Sequence, residues 1–577
     1  MKKLLVIFAF LLAVAVLATV AGIRAGGRKG GARGDGRHGN GESGTVLVWR
    51  LEGPVLEQKE PRLPFSGEAE PGSIAQLYPA FRAAARDAGV KGLAVYVQSA
   101  ELGLAKAQEL RRQMLALRRA GKWVECYLET AGEGSNGTLE YYLATACERI
   151  HLAPAGDLNL IGLNVESRFL RGTFDKLKIE PEFNRVGRYK SAVETYTQTR
   201  YTPDSEEAIA AVLDGYYSQI VSAVAEARHK SGAEVRALID GAPYSAQEAL
   251  ERGLVDQLSY PDEFRDRLEK RLGEKPDYLA IEEYQPAPAL AARHVAVVFA
   301  LGTIVRGSGG TAPWTEETYM GSDDMASLLR DMAEDGSVSA VVLRVDSPGG
   351  SALASDFILR EVEKLKAKKP VIISMSDTAA SGGYYIAAKA TRIVAEPATL
   401  TGSIGVFGGK FVTRRFEEEI LGFGHDSLRR GANAGIYSSL EPYSPEQDAR
   451  VQRLMDRTYT TFVGHVAAGR KMNPQAVQAV ASGRVWTGAA AQKIGLVDEL
   501  GGLDRAVELA RREAKIGAGE TVAIDFYPEP PSWLDILFEK RDPRLPAALA
   551  DVVKTLETNP PRLLQLSPEV ARLARPF

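Results

Sequence analysis

The sequence has few of the residues that build disulfides, metal centres or strongly charged surfaces. Two cysteines, Cys126 and Cys147, occur among 577 residues, and no CxxC pair is present. A disulfide framework is therefore excluded, although a single bridge stays open beside the simpler interpretation of two buried thiols. The six histidines form neither an HExxH motif nor a close cluster, which argues against a zinc hydrolase.

An excess of charge of one sign is also missing. The net charge is −3, so bulk charge gives no reason to expect a nucleic-acid partner. We expect neither a metal nor another cofactor, because no motif calls for one. With 45% hydrophobic and 25% charged residues the composition is that of a folded protein, and the length favours two domains with appendages.

The N-terminus carries an apolar run long enough to cross a bilayer. Residues 4–23 contain no charge and follow Lys2 and Lys3. A helix of this length spans about 30 Å, so we expect residues 1–24 to be an uncleaved transmembrane anchor, with a cleaved signal peptide as the alternative. Residues 25–44 are rich in Gly and Arg and are expected to form a flexible tether. Their positive charge alone would favour the cytoplasmic side.

The body of the chain repeats itself with a nearly constant offset. A Tyr pair at 141–142 recurs at 384–385, 243 residues later, and GLVD at 253–256 recurs at 495–498, 242 residues later. A register held over about 200 residues indicates an internal duplication. The β-branched runs and helix starts that also match are residues 45–53 with 294–302, 92–99 with 340–347, 122–129 with 369–376, and 202–208 with 444–449.

Predicted strands alternate with helical segments in both halves. This pattern predicts an α/β fold with parallel sheets and crossover helices. We expect an N-terminal repeat over residues 45–270, a Pro-containing linker over residues 271–293, a C-terminal repeat over residues 294–516 and a tail over residues 517–577.

One serine of the second half is a candidate nucleophile. Ser381 lies in SDTAASGGYYIA, after a predicted strand and before a helix start. A serine at such a place is usually a helix N-cap, but the positive helix end and the Gly382 amide would also face a developing negative charge. DSPGG at residues 346–350 could add further amides, although an ordinary turn is the simpler interpretation of that motif alone.

A serine nucleophile needs a base, and lysine is the candidate because no histidine lies in a motif beside Ser381. Lys190 occurs in GRYKSAVE of the first half. A lysine acts as a base only when it is buried and uncharged, whereas most lysines are solvated surface charges. Burial is not visible in the sequence, so both interpretations remain at this point.

The duplication favours the catalytic interpretation. Ser381 aligns with Thr138 of the first half, and Lys190 aligns near Ala434 of the second half. The glycines of DSPGG have no counterpart in the first half. Each half therefore lacks what the other keeps, and a single composite site would form where the two halves meet.

The motifs GRYKSAVE, DSPGGS, ASGGYYIA and TLTGSIGVFGG occur in an order that resembles the long, duplicated form of the signal peptide peptidase A (protease IV) family, a relative of the Clp-protease and crotonase folds. The resemblance covers residues 45–515 and implies tandem crotonase-like domains. The site residues that it implies are Ser381 as nucleophile, Lys190 as general base, Ser403 as the residue that orients the lysine, and Gly382 and Gly349 as oxyanion-hole donors.

The resemblance also implies a membrane-bound serine endopeptidase that degrades hydrophobic signal peptides. It implies a homo-oligomer, tetramer-like, in the bacterial inner membrane, with the body facing the periplasm despite the basic flank. Two other interpretations stay open. A non-catalytic membrane scaffold would not need the motif residues, and a crotonase-type acyl-CoA enzyme would use the same amides on a thioester beside acidic groups.

Overall fold

The computed structural model describes residues 44–59, 71–273, 275–284, 291–311, 317–517 and 519–529. The expected anchor of residues 1–24, all but the last residue of the tether, and the tail from residue 530 onward lie outside the described residues.

The first repeat alternates strands and helices, as its hydrophobic runs predict. Its strands are β1 (Thr45–Leu51), β2 (Val90–Val97), β3 (Trp123–Leu128), β4 (Arg149–Leu152), β5 (Asp157–Leu158), β6 (Glu180–Val186), β7 (Tyr244–Ser245), β8 (Gln257–Leu258) and β9 (Asp277–Ala280). Its helices are α1 (Ile74–Ala84), α2 (Leu104–Arg119), α3 (Thr138–Ala144), α4 (Arg171–Leu177), α5 (Glu194–Thr197), α6 (Pro203–Arg228), α7 (Gly232–Asp240), α8 (Ala246–Glu251) and α9 (Pro261–Leu272), with a 3₁₀ turn at Ser191–Val193.

The second repeat follows the same plan. Its strands are β10 (His294–Leu301), β11 (Thr303–Val305), β12 (Gly310–Thr311), β13 (Thr318–Gly321), β14 (Val338–Ser347), β15 (Val371–Ala380), β16 (Arg392–Ala395), β17 (Leu400–Gly402), β18 (Val406–Val412), β19 (Val485–Thr487), β20 (Glu499–Leu500) and β21 (Ala523–Tyr527). Its helices are α10 (Ser322–Glu334), α11 (Ala352–Lys368), α12 (Gly382–Ala387), α13 (Pro445–Arg470), α14 (Pro474–Val480), α15 (Gly488–Lys493) and α16 (Leu503–Glu513), with a π-helical turn at Phe416–Ile420.

The central sheets of the two repeats have the same strand order. The first runs β8-β4-β3-β2-β1-β9 and is parallel throughout. The second contains β20-β16-β15-β14-β10-β21, which are also all parallel, while β17 pairs with the end of β15 and β19 lies antiparallel to β17. The α/β fold with parallel sheets and an internal duplication is therefore confirmed.

Matching sequence signals start matching helices. The N-caps of α6 and α13 are Thr202 and Ser444, whose side chains accept hydrogen bonds from the backbone N–H of Ser205 and Gln447. A proline follows each cap at the first helical position, where its missing N–H costs nothing. Both helices are 26 residues long.

The GLVD motifs close both repeats in the same way. Asp256 accepts a hydrogen bond from Ile150 N and pairs with Arg228 at the end of α6, at 2.9 Å. Asp498 pairs with Arg470 at the end of α13, at 2.7 Å. Each aspartate thus ties the long helix of its repeat to the central sheet.

Each sheet gains an edge strand from a segment that was expected to lie outside the repeats. β9 falls within the expected linker of residues 271–293 and pairs with β1, and β21 falls within the expected tail and pairs with β10. The expected boundaries at residues 270 and 516 therefore stop short of the folded body. A strand of four or five residues offers too little periodicity to be recognised.

Of the described residues, those of α6 alone form a helix long and apolar enough to cross a membrane by length and composition. This helix packs Ile220, Val221 and Val224 into the core of the first repeat and is the counterpart of α13. We therefore interpret it as part of the folded body.

The two repeats share one continuous core. Alternate residues of β10 and β14 point to opposite faces of the sheet, so that Val297 and Val342 join the core of the first repeat while Val298 and Val341 face the other way. The apolar side of α16 belongs to the shared core as well.

A buried arginine lies at the junction of the repeats. Arg344, on the β14 face that meets the first repeat, is fully buried and donates two hydrogen bonds to Glu57, at 2.9 and 3.1 Å. It also bonds Glu109 at 2.7 Å and the hydroxyl groups of Ser374 and Ser376. Burial alone would raise the pKa of Glu57, but the charges of Arg344 and Lys106 lower it to about 2.

Arg344→Met is expected to lower the free energy of unfolding by about 3–5 kcal/mol, because Glu57 and Glu109 would stay buried without the cation that joins them, and Glu57 would keep only Lys106. The urea midpoint at pH 7 measures this effect. Arg392→Met is the matched control: Arg392 is 45% exposed and pairs with Glu513 at 3.5 Å, so a loss of about 1 kcal/mol at most is expected. Equal midpoints for Arg344→Met and the wild type would contradict the role of Arg344.

Candidate active site

Ser381 occupies a strained turn between β15 and α12. Its backbone has φ +54° and ψ −116°, which non-glycine residues seldom adopt. Its N–H donates to the carbonyl oxygen of Gly402 at 2.9 Å, so β17 holds the turn from one side. Strain of this kind is often found at functional sites, where the surrounding structure maintains it.

Lys190 reaches this turn from the other repeat. It follows β6, which pairs antiparallel with β18 of the second repeat, Val186 opposite Val406. The N–H of Tyr189 donates to Ser482 O at 2.9 Å, which ties the lysine loop to the second repeat again. The Nζ atom of Lys190 lies 3.0 Å from Ser381 Oγ, so the structure brings the two residues together.

Ser403 completes the surroundings of the amine. Its hydroxyl oxygen lies 2.9 Å and its carbonyl oxygen 3.0 Å from Lys190 Nζ. An uncharged amine has two N–H donors and one lone pair, so it can donate to both Ser403 atoms and accept the proton of the Ser381 hydroxyl. The three contacts therefore match the needs of a neutral lysine.

Burial sets the charge of Lys190. The residue is 4% exposed, and burial lowers the pKa of its amine from 10.5 to about 8. A substantial fraction of the amine is thus uncharged slightly above neutral pH, which a general base requires.

The two glycines expected to bind an oxyanion lie beside Ser381. Gly382 is the first residue of α12, so its N–H has no acceptor within the helix. Gly349 has φ +100°, and a Cβ atom there would stand 2.5 Å from Gly382 N, so only glycine fits. The N–H of Gly349 donates to Ser347 Oγ at 3.1 Å and would have to exchange that bond to serve an oxyanion.

The corresponding place in the first repeat has no free hydroxyl. Thr138, which aligns with Ser381, donates its Oγ1 proton to Gly162 O and accepts from Gly162 N, both at 3.1 Å.

Cys126 and Cys147 are buried free thiols. Within the described ranges no group of His, Cys, Asp or Glu side chains could hold a metal ion.

The ion pair of Glu194 with Arg185, close to Lys190, was not predicted from the sequence. Glu194 is 2% exposed and accepts hydrogen bonds from Arg185 at 2.7 Å, from Thr202 Oγ1 at 2.8 Å and from Ser205 Oγ at 2.5 Å. Arg185 also donates to Lys190 O at 3.3 Å. The acidic residue four positions after the lysine was the signal available in the sequence, but the partners of its side chain are set by the fold.

The fold and the site are those of a serine-type peptidase of the α/β class. The chain belongs to peptidase family S49. The family model matches residues 119–275 and 363–517, one stretch in each repeat, which is the long, duplicated form.

Curated relatives resemble the chain over most of its length. The chloroplastic serine protease SPPA of Arabidopsis thaliana is 34% identical over 492 residues, which are 83% of this chain and 71% of that protein. Protease 4 of Salmonella typhi is 32% identical over 511 residues, 85% of this chain and 79% of that protein. A putative signal peptide peptidase SppA of Enterococcus faecium is 33% identical over 222 residues, 38% of this chain and 64% of that protein.

Lys190→Met is expected to raise the free energy of unfolding at pH 7, by up to about 3 kcal/mol, because it removes a buried amine that prefers to be protonated in water. The folded-state pKa of about 8 lies below the unfolded value of 10.5. The burial penalty is therefore complete below pH 8 and disappears as the pH rises to 10.5. Urea unfolding at pH 7 and pH 10 tests this, and a difference that does not shrink with pH would contradict it.

Proposed function

We propose that the protein is a membrane-anchored endopeptidase that degrades cleaved signal peptides, with Ser381 as nucleophile and Lys190 as general base. The observation that carries this proposal is the 3.0 Å contact between the Lys190 amine and the Ser381 hydroxyl, within a site where burial lowers the pKa of the amine. Geometry and protonation are then both suited to proton transfer.

The reaction starts with attack of Ser381 Oγ on a peptide carbonyl carbon while Lys190 Nζ accepts the hydroxyl proton. The tetrahedral intermediate collapses when the resulting ammonium group gives its proton to the leaving amine. The amine of Lys190 is then neutral again and activates a water molecule, which hydrolyses the acyl-enzyme. Ser403 holds the amine in place throughout, because it contacts Nζ with two oxygen atoms.

Backbone amides would stabilise the charge that develops on the carbonyl oxygen. Gly382 N is the first donor, and Gly349 N becomes the second when its bond to Ser347 Oγ is exchanged. One well-placed donor of this kind contributes about 3–4 kcal/mol to transition-state stabilisation.

The proposed substrate is an apolar peptide. Leu353 and Phe357, on the helix after the glycine turn, are 48% and 50% exposed, and Phe407 of β18 is 42% exposed. These side chains flank the elements that carry the oxyanion glycines and the lysine. An apolar segment from a membrane matches such surroundings, in agreement with the name of the Enterococcus faecium relative.

The membrane setting is part of the proposal. Residues 1–24 would anchor the chain in the bacterial inner membrane, residues 25–44 would be the tether, and the body would face the periplasm as a homo-oligomer. The two repeats would be tandem crotonase-like domains. Self-association of the body would enclose the sites and favour unfolded, extended substrates.

Ser381→Ala and Lys190→Ala are each expected to lower kcat for cleavage of a fluorescence-quenched signal peptide by at least about 1,000-fold, because the nucleophile or its base is missing. Thr138→Ala, at the equivalent place in the first repeat, is the matched control and should retain wild-type kcat. Peptide cleavage that survives in Ser381→Ala would reject the proposal. The proposal would also be rejected if Ser381→Ala abolished hydrolysis of an acyl-CoA thioester and no other activity.

The pH profile of kcat/KM should rise with a single ionisation near pH 8, since only the uncharged amine of Lys190 accepts the serine proton. Steady-state kinetics between pH 6 and pH 10 measure this rise. A flat profile across that range, with intact protein at both ends, would show that Lys190 is not the titrating base.

A further inference from the structure

A second buried lysine of the first repeat contacts the second repeat close to the active site. Lys106, in the first turn of α2, is 7% exposed. Its ammonium nitrogen lies 3.5 Å from Glu57, 3.7 Å from Asp346 and 3.7 Å from Asp377, and it donates to the carbonyl oxygen of Val55 at 3.2 Å. Two of these three carboxylates belong to the second repeat.

The pKa values of the two buried lysines shift in opposite directions. Burial alone would lower the pKa of Lys106, but the charges of Glu57, Asp377 and Asp346 outweigh burial and raise it. Burial lowers the pKa of Lys190. Lys106 therefore remains a cation at neutral pH and is unsuited to act as a base.

The contacts of Lys106 coincide with an irregularity of the central sheet. Along β14 and β15, Val345 pairs with Met375 but Ser347 pairs with Ala379, so Asp346 alone stands opposite residues 376–378. Bulges of this type re-aim the chain and are common beside active sites. The carboxylate of Asp346 accepts a hydrogen bond from Thr378 N at 3.0 Å and so replaces a lost ladder bond.

The bulge is also fastened to the first repeat. Asp377 accepts hydrogen bonds from Gly103 N at 3.2 Å and Lys106 N at 2.9 Å, and it thereby caps α2, whose own N-cap residue Gly103 has no side chain to do so. Ser376 donates to Glu57, a residue of the first repeat.

Both reactive loops begin at this bulge. Asp346 precedes Gly349 by three residues, and Asp377 precedes Ser381 by four residues. A displacement of the bulge would therefore move the nucleophile and the glycine turn together. Burial and the nearby carboxylates of Glu57 and Asp377 raise the pKa of Asp346 to about 7, and the charge of Lys106 opposes this rise. The cation therefore offsets the repulsion between Asp346 and Asp377 at the point that sets this register.

We propose that Lys106 is a positioning residue for the peptidase reaction: its ammonium group holds Asp346 and Asp377 together across the bulge and thereby fixes the places of Ser381 and Gly349. This inference rests on the proposed function, since it assigns Lys106 a role in aligning that same site. The site would then depend on two lysines of the first repeat, an uncharged one that reacts and a charged one that aligns.

The test uses the full chain and the quenched signal peptide. Lys106→Met is expected to lower kcat about 10- to 100-fold and to change KM less than twofold, because a misplacement of the order of 1 Å at a reacting atom has an effect of this size. Asp346→Asn, which keeps the shape of the side chain, should lower kcat in the same direction. The kcat of the double variant should be no lower than that of the less active single variant, since both changes break the same contact.

Arg228→Met is the control for stability alone. Arg228 hydrogen-bonds only to Gly253 and Asp256 of its own repeat among the described residues, so its loss should lower the urea midpoint and leave kcat within twofold. Wild-type kcat in folded Lys106→Met, or a change in KM alone, would overturn the inference. If Lys106→Met does not fold, unchanged kcat in Asp346→Asn would overturn it.

The outcome is separable from that of the proposed function. Activity that persists in Ser381→Ala removes the proposed function, whatever Lys106→Met does. An inactive Ser381→Ala together with a fully active Lys106→Met removes only the role of Lys106.

Discussion

The proposed active site depends on the docking of one repeat against the other. Lys190 and Ser381 are 191 positions apart and belong to different repeats, yet the amine nitrogen of one lies 3.0 Å from the hydroxyl oxygen of the other. The shared core and the buried Arg344 hold the repeats as one body. The pairing of β6 with β18 also fixes the lysine loop against the second repeat. The strand β6 ends a few residues before Lys190, and its partner β18 begins a few residues after Ser403.

Lys190 and Lys106 show how the surroundings of a buried amine determine its pKa. Both come from the first repeat and both are nearly inaccessible. Three carboxylates surround Lys106 and keep it charged, whereas Lys190 has serine oxygens around it and becomes easier to deprotonate. The difference lies in the neighbours, since an uncompensated buried charge is unfavourable and the amine of Lys190 therefore loses its proton at a lower pH.

Much of the fold could be predicted from the sequence because its signals are local. β-branched runs, Pro-containing helix starts such as those before α6 and α13, and the repeated GLVD motif each act over a few residues and mark elements that the structure contains. The short edge strands β9 and β21 were missed, since their pairing partners, β1 and β10, lie far away in the chain. The sequence assigned no role to the side chains of Glu194, Lys106 and Asp346 for a related reason: each looks like an ordinary charged residue until its neighbours in the fold are known.

The sequence by itself determined the class of fold, the duplication and the residue types at the site, because these follow from periodicity and from motifs of residues that are adjacent in the chain. It also pointed to Ser381 and Lys190 as complementary remnants of two copies. Only the tertiary structure decided that they meet, that no residue in the described part of the chain offers the buried amine a counter-charge, and that a cation spans the bulge beside them. Distance and desolvation arise from packing between segments remote in the chain, and no local pattern of residues encodes them.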